Sequence, residues 1–547
     1  MSGAAHPADA AGEAVSGQPA GDDETDLERL FGVLDAAQAA RAGDMEPEAF
    51  RRAAHATVDL IADYLAGVER YPVLPRVSPG ELAARFPAQP PQEPEPMGRI
   101  LADYRSLVEP NTTHWQHPGF FAYFATTASG PGILGEMLTA GLAANAMLWR
   151  TSPVATELEE VTVDWLRQAM GLPHPFDGLF TDTASTSTLI ALAAARQAVT
   201  ADAAAEGLAG RRLRVYASTE AHSSIDKACM TLGLGRAGLR RVPVDDRYQL
   251  DVAALRRAIE ADRAAGWIPA AIVGTIGTTA STSVDPVADL AALAEREDLW
   301  LHVDAAYGGA VALLPARRDA FVGWERADSI VVNPHKWLFT PLDCSLLLTR
   351  RLETVRAAFS LVPEYLRTAG FAQVHDFNEY QPQLGRRFRA LKMWFVLRYF
   401  GLSGLQRRLE AHLALAADLA AWVDAEPEAE RLAPVPFSTV CFRWRPGRLR
   451  GHEDEPAVRS YLDRLNERLM DRLNASGEVF LSHARLADRF VLRFSIGNLH
   501  TEARHVARGW ELVRALGPET DVELSGGDLG GGPAGGPSSG RVPPTAD

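Results

Sequence analysis

From residue 111 to about residue 400 the chain alternates short apolar runs with stretches of helical periodicity, and no other feature limits its fold so tightly. Residues 213–216, 271–274, 300–303 and 329–332 have the length and composition of buried strands, whereas a span such as 285–297 repeats its apolar positions at helical spacing. That alternation predicts an α/β fold with a mostly parallel sheet flanked by helices. The pattern changes after Gly401, where a long helix running through Trp422 is followed by strands at 439–444 and 490–496. These read as a smaller C-terminal α+β domain. Upstream, Phe50, Ala54, Val58, Ile61 and Leu65 share one face of a helix over 46–68, which needs a surface to cover it. No internal repeat is evident.

Two of the strands lead to residues with chemistry. Asp304 follows Trp300-Leu301-His302-Val303, at the carboxyl edge where open parallel sheets place their ligands. Lys336 follows Ser329-Ile330-Val331-Val332 by four residues, inside Asn333-Pro334-His335-Lys336-Trp337. Alone, each is an ordinary residue: Asp caps turns, and most lysines are solvated. Together they supply what pyridoxal phosphate chemistry requires, an amine to hold an aldehyde and a carboxylate to keep a pyridine nitrogen protonated. The small run Ala305-Ala306-Tyr307-Gly308-Gly309 is expected to leave room for a flat ring close to the backbone.

The wider chain resembles the pyridoxal-phosphate-dependent group II amino acid decarboxylases, within them the aromatic-L-amino-acid decarboxylase branch. Thr113-His114-Trp115, Phe120-Phe121-Ala122-Tyr123-Phe124, Ser152-Pro153-Val154-Ala155-Thr156-Glu157-Leu158-Glu159 and Asp164-Trp165-Leu166 look like its N-terminal motifs. Ala221-His222-Ser223-Ser224, Gly277-Thr278-Thr279, the Asp304 and Lys336 segments, and Leu384-Gly385-Arg386-Arg387-Phe388-Arg389 follow in the family's order. The likeness covers roughly residues 45–515, and ordered motifs of this length are far more specific than a single short signature.

The resemblance implies a fold-type I transferase-like enzyme that decarboxylates an aromatic L-amino acid to its amine. Lys336 would carry the cofactor, Asp304 would face its ring nitrogen and His222 would stack on the ring. Thr183, Ala184 and Ser185 would hold the phosphate, at a loop opening a helix where amides and the helix dipole converge. Thr279, Ala306, Asn333 and His335 would complete the cofactor site. Tyr365, in Pro363-Glu364-Tyr365-Leu366, would deliver a proton to the α-carbon from a mobile loop of the neighbouring subunit. Phe in its place is associated in related enzymes with oxidative deamination to an aldehyde.

Trp115, Tyr123, Phe124, Thr126, Asn145 and Met147 would line the substrate, with Phe120 and Phe121 as further aromatic walls. Gly385 matches the aromatic branch, where histidine-specific relatives tend to carry serine. Asp182 stands where the family often has Gly, and Thr186 where it often has Glu, which puts an acid beside the phosphate loop. Asn145, Met147, Ala125 and Gln116 also depart from the usual residues and leave the preferred substrate open. A group II decarboxylase for a histidine or acidic side chain, an aldehyde synthase, and a catalytically silent binding homologue remain alternatives.

Composition sets further bounds. Of 547 residues, 55 are basic and 70 acidic, for a net charge of −15, and no basic cluster interleaves with aromatics, so nucleic acid is not an expected partner. Cys229, Cys344 and Cys441 lie far apart and form no metal-ligand spacing, which fits a reducing compartment and no structural metal. No apolar run has the length of a membrane span. The expected organisation is a disordered extension over 1–44, a helical segment over 45–110 that by resemblance clamps a homodimer, a large cofactor domain over 111–400, a small domain over 401–516 and a Gly/Pro/Ser tail over 517–547. A cytoplasmic enzyme with its active site at a dimer interface is the resulting expectation.

Overall fold

The computed structural model describes Leu27 and residues 30–361 and 374–527. It forms two compact units, divided between Thr113 and His114. The first is helical, built around α1 (Pro47–Gly67), which Pro47 opens at the position where a missing N–H costs nothing. The apolar stripe of α1 is only partly covered: Phe50 is 64% exposed and Val58 is also exposed, while Ala54, Ile61 and Leu65 are half-buried.

The second unit begins with α2 (Gly130–Leu142) and α3 (Pro153–Ala169) and then enters the sheet. Its first part contains β1 (Asp177–Thr181), α4 (Ala184–Val199), β2 (Leu213–Ser218), α5 (Ser224–Thr231), β3 (Leu239–Val242) and α6 (Val252–Ala264). There follow β4 (Ile268–Thr275), α7 (Val287–Glu297), β5 (Trp300–Asp304), β6 (Ser329–Val332) and β7 (Ser345–Thr349). The strand order is β1-β7-β6-β5-β4-β2-β3. Neighbours β3, β2, β4, β5 and β6 run parallel, and β7 is antiparallel to both β6 and β1. This is the mostly parallel sheet expected from the alternation.

Burial explains the strand sequences. All five residues of β5, all four of β6 and all five of β7 are buried, which is why they read as continuous apolar runs rather than alternating ones. Side chains such as Val303, Ile330 and Leu347, fully removed from water, contribute about 1.5–3 kcal/mol each to the folded state. Helix α4 is buried all round over Ile190, Ala191, Leu192, Ala193, Ala194 and Ala195, and its alanines allow its neighbours to approach closely. Asp285 falls before α7 rather than inside a helix, because its carboxylate accepts the amides of Leu250 and Thr275, both at 2.8 Å, and pins the exit of β4.

Helix α8 (Arg389–Ala425) leads into the C-terminal part, where Gly401 at φ 63°, ψ 165° breaks the helical path. A β-carbon in that region of φ clashes with backbone, so glycine suits the bend. Four antiparallel strands in the order β10-β11-β9-β8 follow: β8 (Ala429–Arg431), β9 (Thr439–Trp444), β10 (Ser482–Leu486) and β11 (Arg489–Ser495). Between β9 and β10 runs α9 (Pro456–Ala475), and after β11 comes α10 (Ala503–Gly527). Leu462, Leu465, Leu469, Phe442, Leu492 and Val513 fill the core between these layers. This antiparallel sheet and its helices form the smaller C-terminal α+β part that the sequence implied, within the second compact unit.

Candidate active site

The direction of the strands assembles the site. Strand β1, twice reversed through β7, points the same way as β2, β4, β5 and β6, so five carboxyl ends share one edge of the sheet. Each releases a candidate residue within four positions: Thr183 after β1, His222 after β2, Thr279 after β4, Asp304 as the last residue of β5, and Lys336 after β6. Residues spread over 150 positions of sequence thereby meet at one edge, where open α/β sheets bind ligands.

Asp304 is buried and its Oδ1 accepts the Ala306 amide at 3.1 Å. Lys336 sits on a helical turn, Pro334–Trp337, that Asn333 opens; the Asn333 amide donates to Ala306 O at 3.0 Å, tying the β5 and β6 exits together. Burial pushes the Lys336 ammonium below its ordinary range, opposed by the negative charge of Asp304. The two groups sense each other but form no ion pair. The Lys336 Nζ lies 5.3 Å from the centre of the Phe124 ring. Lowering the charge of a lysine is what converts it from a cation into a nucleophilic amine.

The imidazoles around this pair are held neutral. His222 is lowered by partial desolvation, with Asp304 opposing and Lys336 adding to the effect, and its Nδ1 accepts the Ser224 amide at 3.1 Å, leaving the proton on Nε2. His335 is pushed down to about 3 by burial, with the Lys336 charge adding; its Nδ1 takes the Cys344 amide at 2.9 Å. Asn333 has a buried side-chain oxygen without a hydrogen-bond partner. Thr279 is exposed, whereas its neighbour Thr278 is buried and bonded within its own turn to Ser281 and Ser283.

Among the candidate phosphate residues, Thr183 is the N-cap of α4 with extended backbone, and no side chain caps the helix. Ala184 and Ser185 form its first turn, and Ser185 is exposed. This is an open helix head of the kind that receives anions.

The aromatic residues separate into two groups. Phe120 and Phe121 are completely buried, Phe121 stacked on Phe494 at 4.0 Å and Phe120 edge-on to Phe480 at 5.5 Å. They are core, not the walls expected from the sequence, because Phe494 of β11 and Phe480, just before β10, pack against them. Tyr123, with φ 50°, is 53% exposed, and Trp115 is half-buried 6.2 Å from it. Phe124 stacks at 3.8 Å on Tyr307, which stacks in turn at 4.5 Å on Trp337. Tyr307 therefore belongs to a buried column of rings, and its hydroxyl meets Ser438 Oγ at 2.5 Å.

The glycines after Tyr307 also serve packing. A β-carbon at Gly308 would lie 2.5 Å from Ile276 O and 2.8 Å from Phe437, and one at Gly309 2.6 Å from Val332. The small run lets the Asp304 loop press against β4 and β6 rather than leaving the expected space for a ring.

Asn145 is committed to backbone: its Oδ1 accepts the Arg386 amide at 3.0 Å, and its Nδ2 lies 3.3 Å from Met147 Sδ. Thr126 is half-buried. Tyr365 lies outside the described residues. Three partners were not evident in the sequence. Arg386 and Glu159 form a fully buried ion pair at 2.6 Å, with Arg386 also holding Phe180 O and Ala146 O. Arg493 of β11 is buried and donates to Ala280 O and Ser482 Oγ, both at 2.8 Å, bracing the Thr279 turn. Lys392 of α8, nearly inaccessible, pairs with Glu136 at 2.7 Å and is brought down to about 8 by burial.

Comparison with known proteins settles the family. The pyridoxal-dependent decarboxylase conserved domain matches residues 79–445, well over half of the chain. The chain belongs to the pyridoxal-dependent decarboxylase family. It is 40% identical over 491 residues to the aromatic-L-amino-acid decarboxylase of Sus scrofa, covering 87% of this chain and 97% of that one. The phenylacetaldehyde synthase of Arabidopsis thaliana is 38% identical over 480 residues, covering 86% and 96%. The crystal structure of Oryza sativa TDC with PLP and tryptamine superposes with a TM-score of 0.83 at 37% identity, covering 88% of this chain and 99% of that one. The chain is thus a PLP-dependent amino acid decarboxylase of fold type I. Its residues fit the cofactor: an unpaired amine, a buried carboxylate that does not touch it, an orphaned Asn333 oxygen and an uncapped helix head surround one sheet edge.

Proposed function

We infer that this enzyme removes the α-carboxylate of an aromatic L-amino acid as carbon dioxide and yields the arylalkylamine. The observation that carries the reading is the meeting of Asp304, Lys336 and the α4 head at one sheet edge, in a chain 40% identical to an aromatic-L-amino-acid decarboxylase. Bound PLP supplies an aldehyde that an amine captures and an electron-poor ring that accepts the electron pair left by carbon dioxide. Lys336, whose ammonium burial disfavours, supplies the amine. Asp304 would hold a proton on the ring nitrogen, and Thr183, Ala184 and Ser185 would hold the phosphate. His222 would flank the ring, and Thr279, Ala306, Asn333 and His335 would fix its surroundings.

Trp115, Tyr123 and Phe124 offer aromatic surface to a planar side chain, with Thr126 beside the carboxylate. Asn145 and Met147 shape the segment beside it. Tyr365 is the proton donor to the α-carbon. The test is incubation of the purified enzyme and PLP with separate L-amino acids, following carbon dioxide, amine and peroxide together; amine without peroxide from an aromatic substrate is the expected result, and amine only from histidine or acidic substrates refutes it.

A second reading, oxidative release of an aldehyde, is favoured by the phenylacetaldehyde synthases among the relatives. Retention of tyrosine at 365 argues for the amine. Peroxide and ammonia in the same assay mark the alternative.

We place the enzyme in the cytoplasm as a homodimer with its active sites at the interface. In support, α1 exposes Phe50 and Val58 of its apolar stripe, and α2 independently exposes Leu134, Met137, Leu138 and Leu142, more than single scattered residues require. The three cysteines are free and buried, and among the described residues no helix is long and apolar enough to cross a membrane.

A further inference from the structure

The helix head that receives the phosphate carries an acid. Asp182 Oδ1 accepts the Thr183 amide at 2.5 Å and lies 3.4 Å from Thr183 Oγ1, while Oδ2 is 3.5 Å from Gln383 Nε2. No arginine or lysine pairs with Asp182 among the described residues, so its charge is not cancelled by a neighbour. An α-helix presents the equivalent of about half a positive charge at its N-terminus. The Asp182 carboxylate lies on the amide of Thr183, the residue that opens α4, and opposes that partial charge.

We propose that Asp182 weakens the hold of this enzyme on the phosphate of PLP, by occupying the Thr183 amide and by opposing the phosphate charge, so that cofactor exchange is governed at this residue. The proposal rests on the cofactor assignment above. A phosphate monoester carries roughly 1.5 to 2 negative charges at neutral pH and binds best to free donors without a competing anion. Here the first donor is already taken by an acceptor, and the phosphate must either displace it or accept fewer bonds beside it. The aldehyde and ring ends of the cofactor, which meet Lys336 and Asp304, do not face this penalty.

That separation provides the test. Dissociation constants for PLP and for pyridoxal, which lacks the phosphate, are measured on the whole protein and on Asp182→Asn and Asp182→Gly from the visible absorption formed with Lys336, together with the PLP release rate on dilution. Asp182→Asn keeps the side-chain shape and removes the charge; Asp182→Gly also frees the Thr183 amide. The expected result is a fall of about tenfold or more in the PLP constant and a slower release in both variants, with the pyridoxal constant within twofold of the parent. An unchanged PLP-to-pyridoxal ratio, or weaker PLP binding in both variants, overturns the proposal and leaves Asp182 as a structural turn residue. Absence of the absorption with either compound in the parent overturns the Lys336 assignment, and the role of Asp182 falls with it.

Discussion

Replacing Arg386 by Met tests the buried ion pair that holds the substrate-side segment. Arg386 and Glu159 are fully inaccessible, and Arg386 spans Glu159 (2.6 and 3.2 Å), Phe180 O (2.8 Å) and Ala146 O (3.0 Å). Methionine fills much of the volume but leaves Glu159 buried with only the Phe180 amide at 2.8 Å. An uncompensated buried charge costs about 3–5 kcal/mol. With an unfolding entropy of about 2.1 cal/mol/K per residue, a chain of 547 residues changes stability by about 1.1 kcal/mol per degree, so Tm falls by about 3–4 °C. The double variant Glu159→Leu with Arg386→Met removes both charges and recovers much of that loss. Melting of the PLP-saturated protein, followed by circular dichroism and tryptophan fluorescence, reads all four proteins. A single variant that melts within 1 °C of the parent, or a double variant that loses the sum of the two singles, refutes the argument. The same substitution frees Ala146 O and disturbs the Asn145 contact, so relative KM values for aromatic substrates shift as well.

Lys336→Ala abolishes both the visible cofactor absorption and amine production; residual turnover near the parental rate assigns the chemistry elsewhere. Asp304→Asn keeps PLP binding but lowers kcat by about 10²–10³-fold, the usual effect of deleting one preorganised charge, and steady-state kinetics on the loaded enzyme checks it. Gly308→Ala drives a β-carbon toward Ile276 O at 2.5 Å, costs about 1–3 kcal/mol as overpacking and lowers kcat through the Asp304 loop; a variant with parental Tm and kcat contradicts the packing account. Burial lowers His302 and His412 to about 4, so each favours the folded state above its unfolded pKa near 6.5 and loses that contribution as pH falls toward 4, roughly 3 kcal/mol per residue. Tm should therefore drop between pH 6.5 and 4, and His302→Gln should flatten the drop.

Local pattern carried much of this molecule. The fully buried central strands are continuous apolar runs, so their position and the parallel sheet follow from period and length. The ends of those strands then name Asp304 and Lys336 as candidates, because the carboxyl edge of such a sheet is where side chains are free to meet a ligand. Phe120 and Phe121 were not legible in that way. An aromatic run looks the same whether it lines a cavity or faces a second sheet, and only the packing of Phe480 and Phe494 distinguishes the two. Gly308 and Gly309 show the same limit, since small residues mark a close approach without saying what approaches.

By itself the sequence determined the strand and helix order, the small C-terminal unit and the chemical identity of the pair at the sheet edge, all of which depend on residues near one another in the chain. Tertiary structure alone decided that Glu159 meets Arg386, that Glu136 meets Lys392 and that Arg493 braces the Thr279 turn. Charges leave no periodic trace of their partners: whether a carboxylate neutralises an arginine 227 residues away is fixed by the folded path between them, and so are the burial and field that set its chemistry.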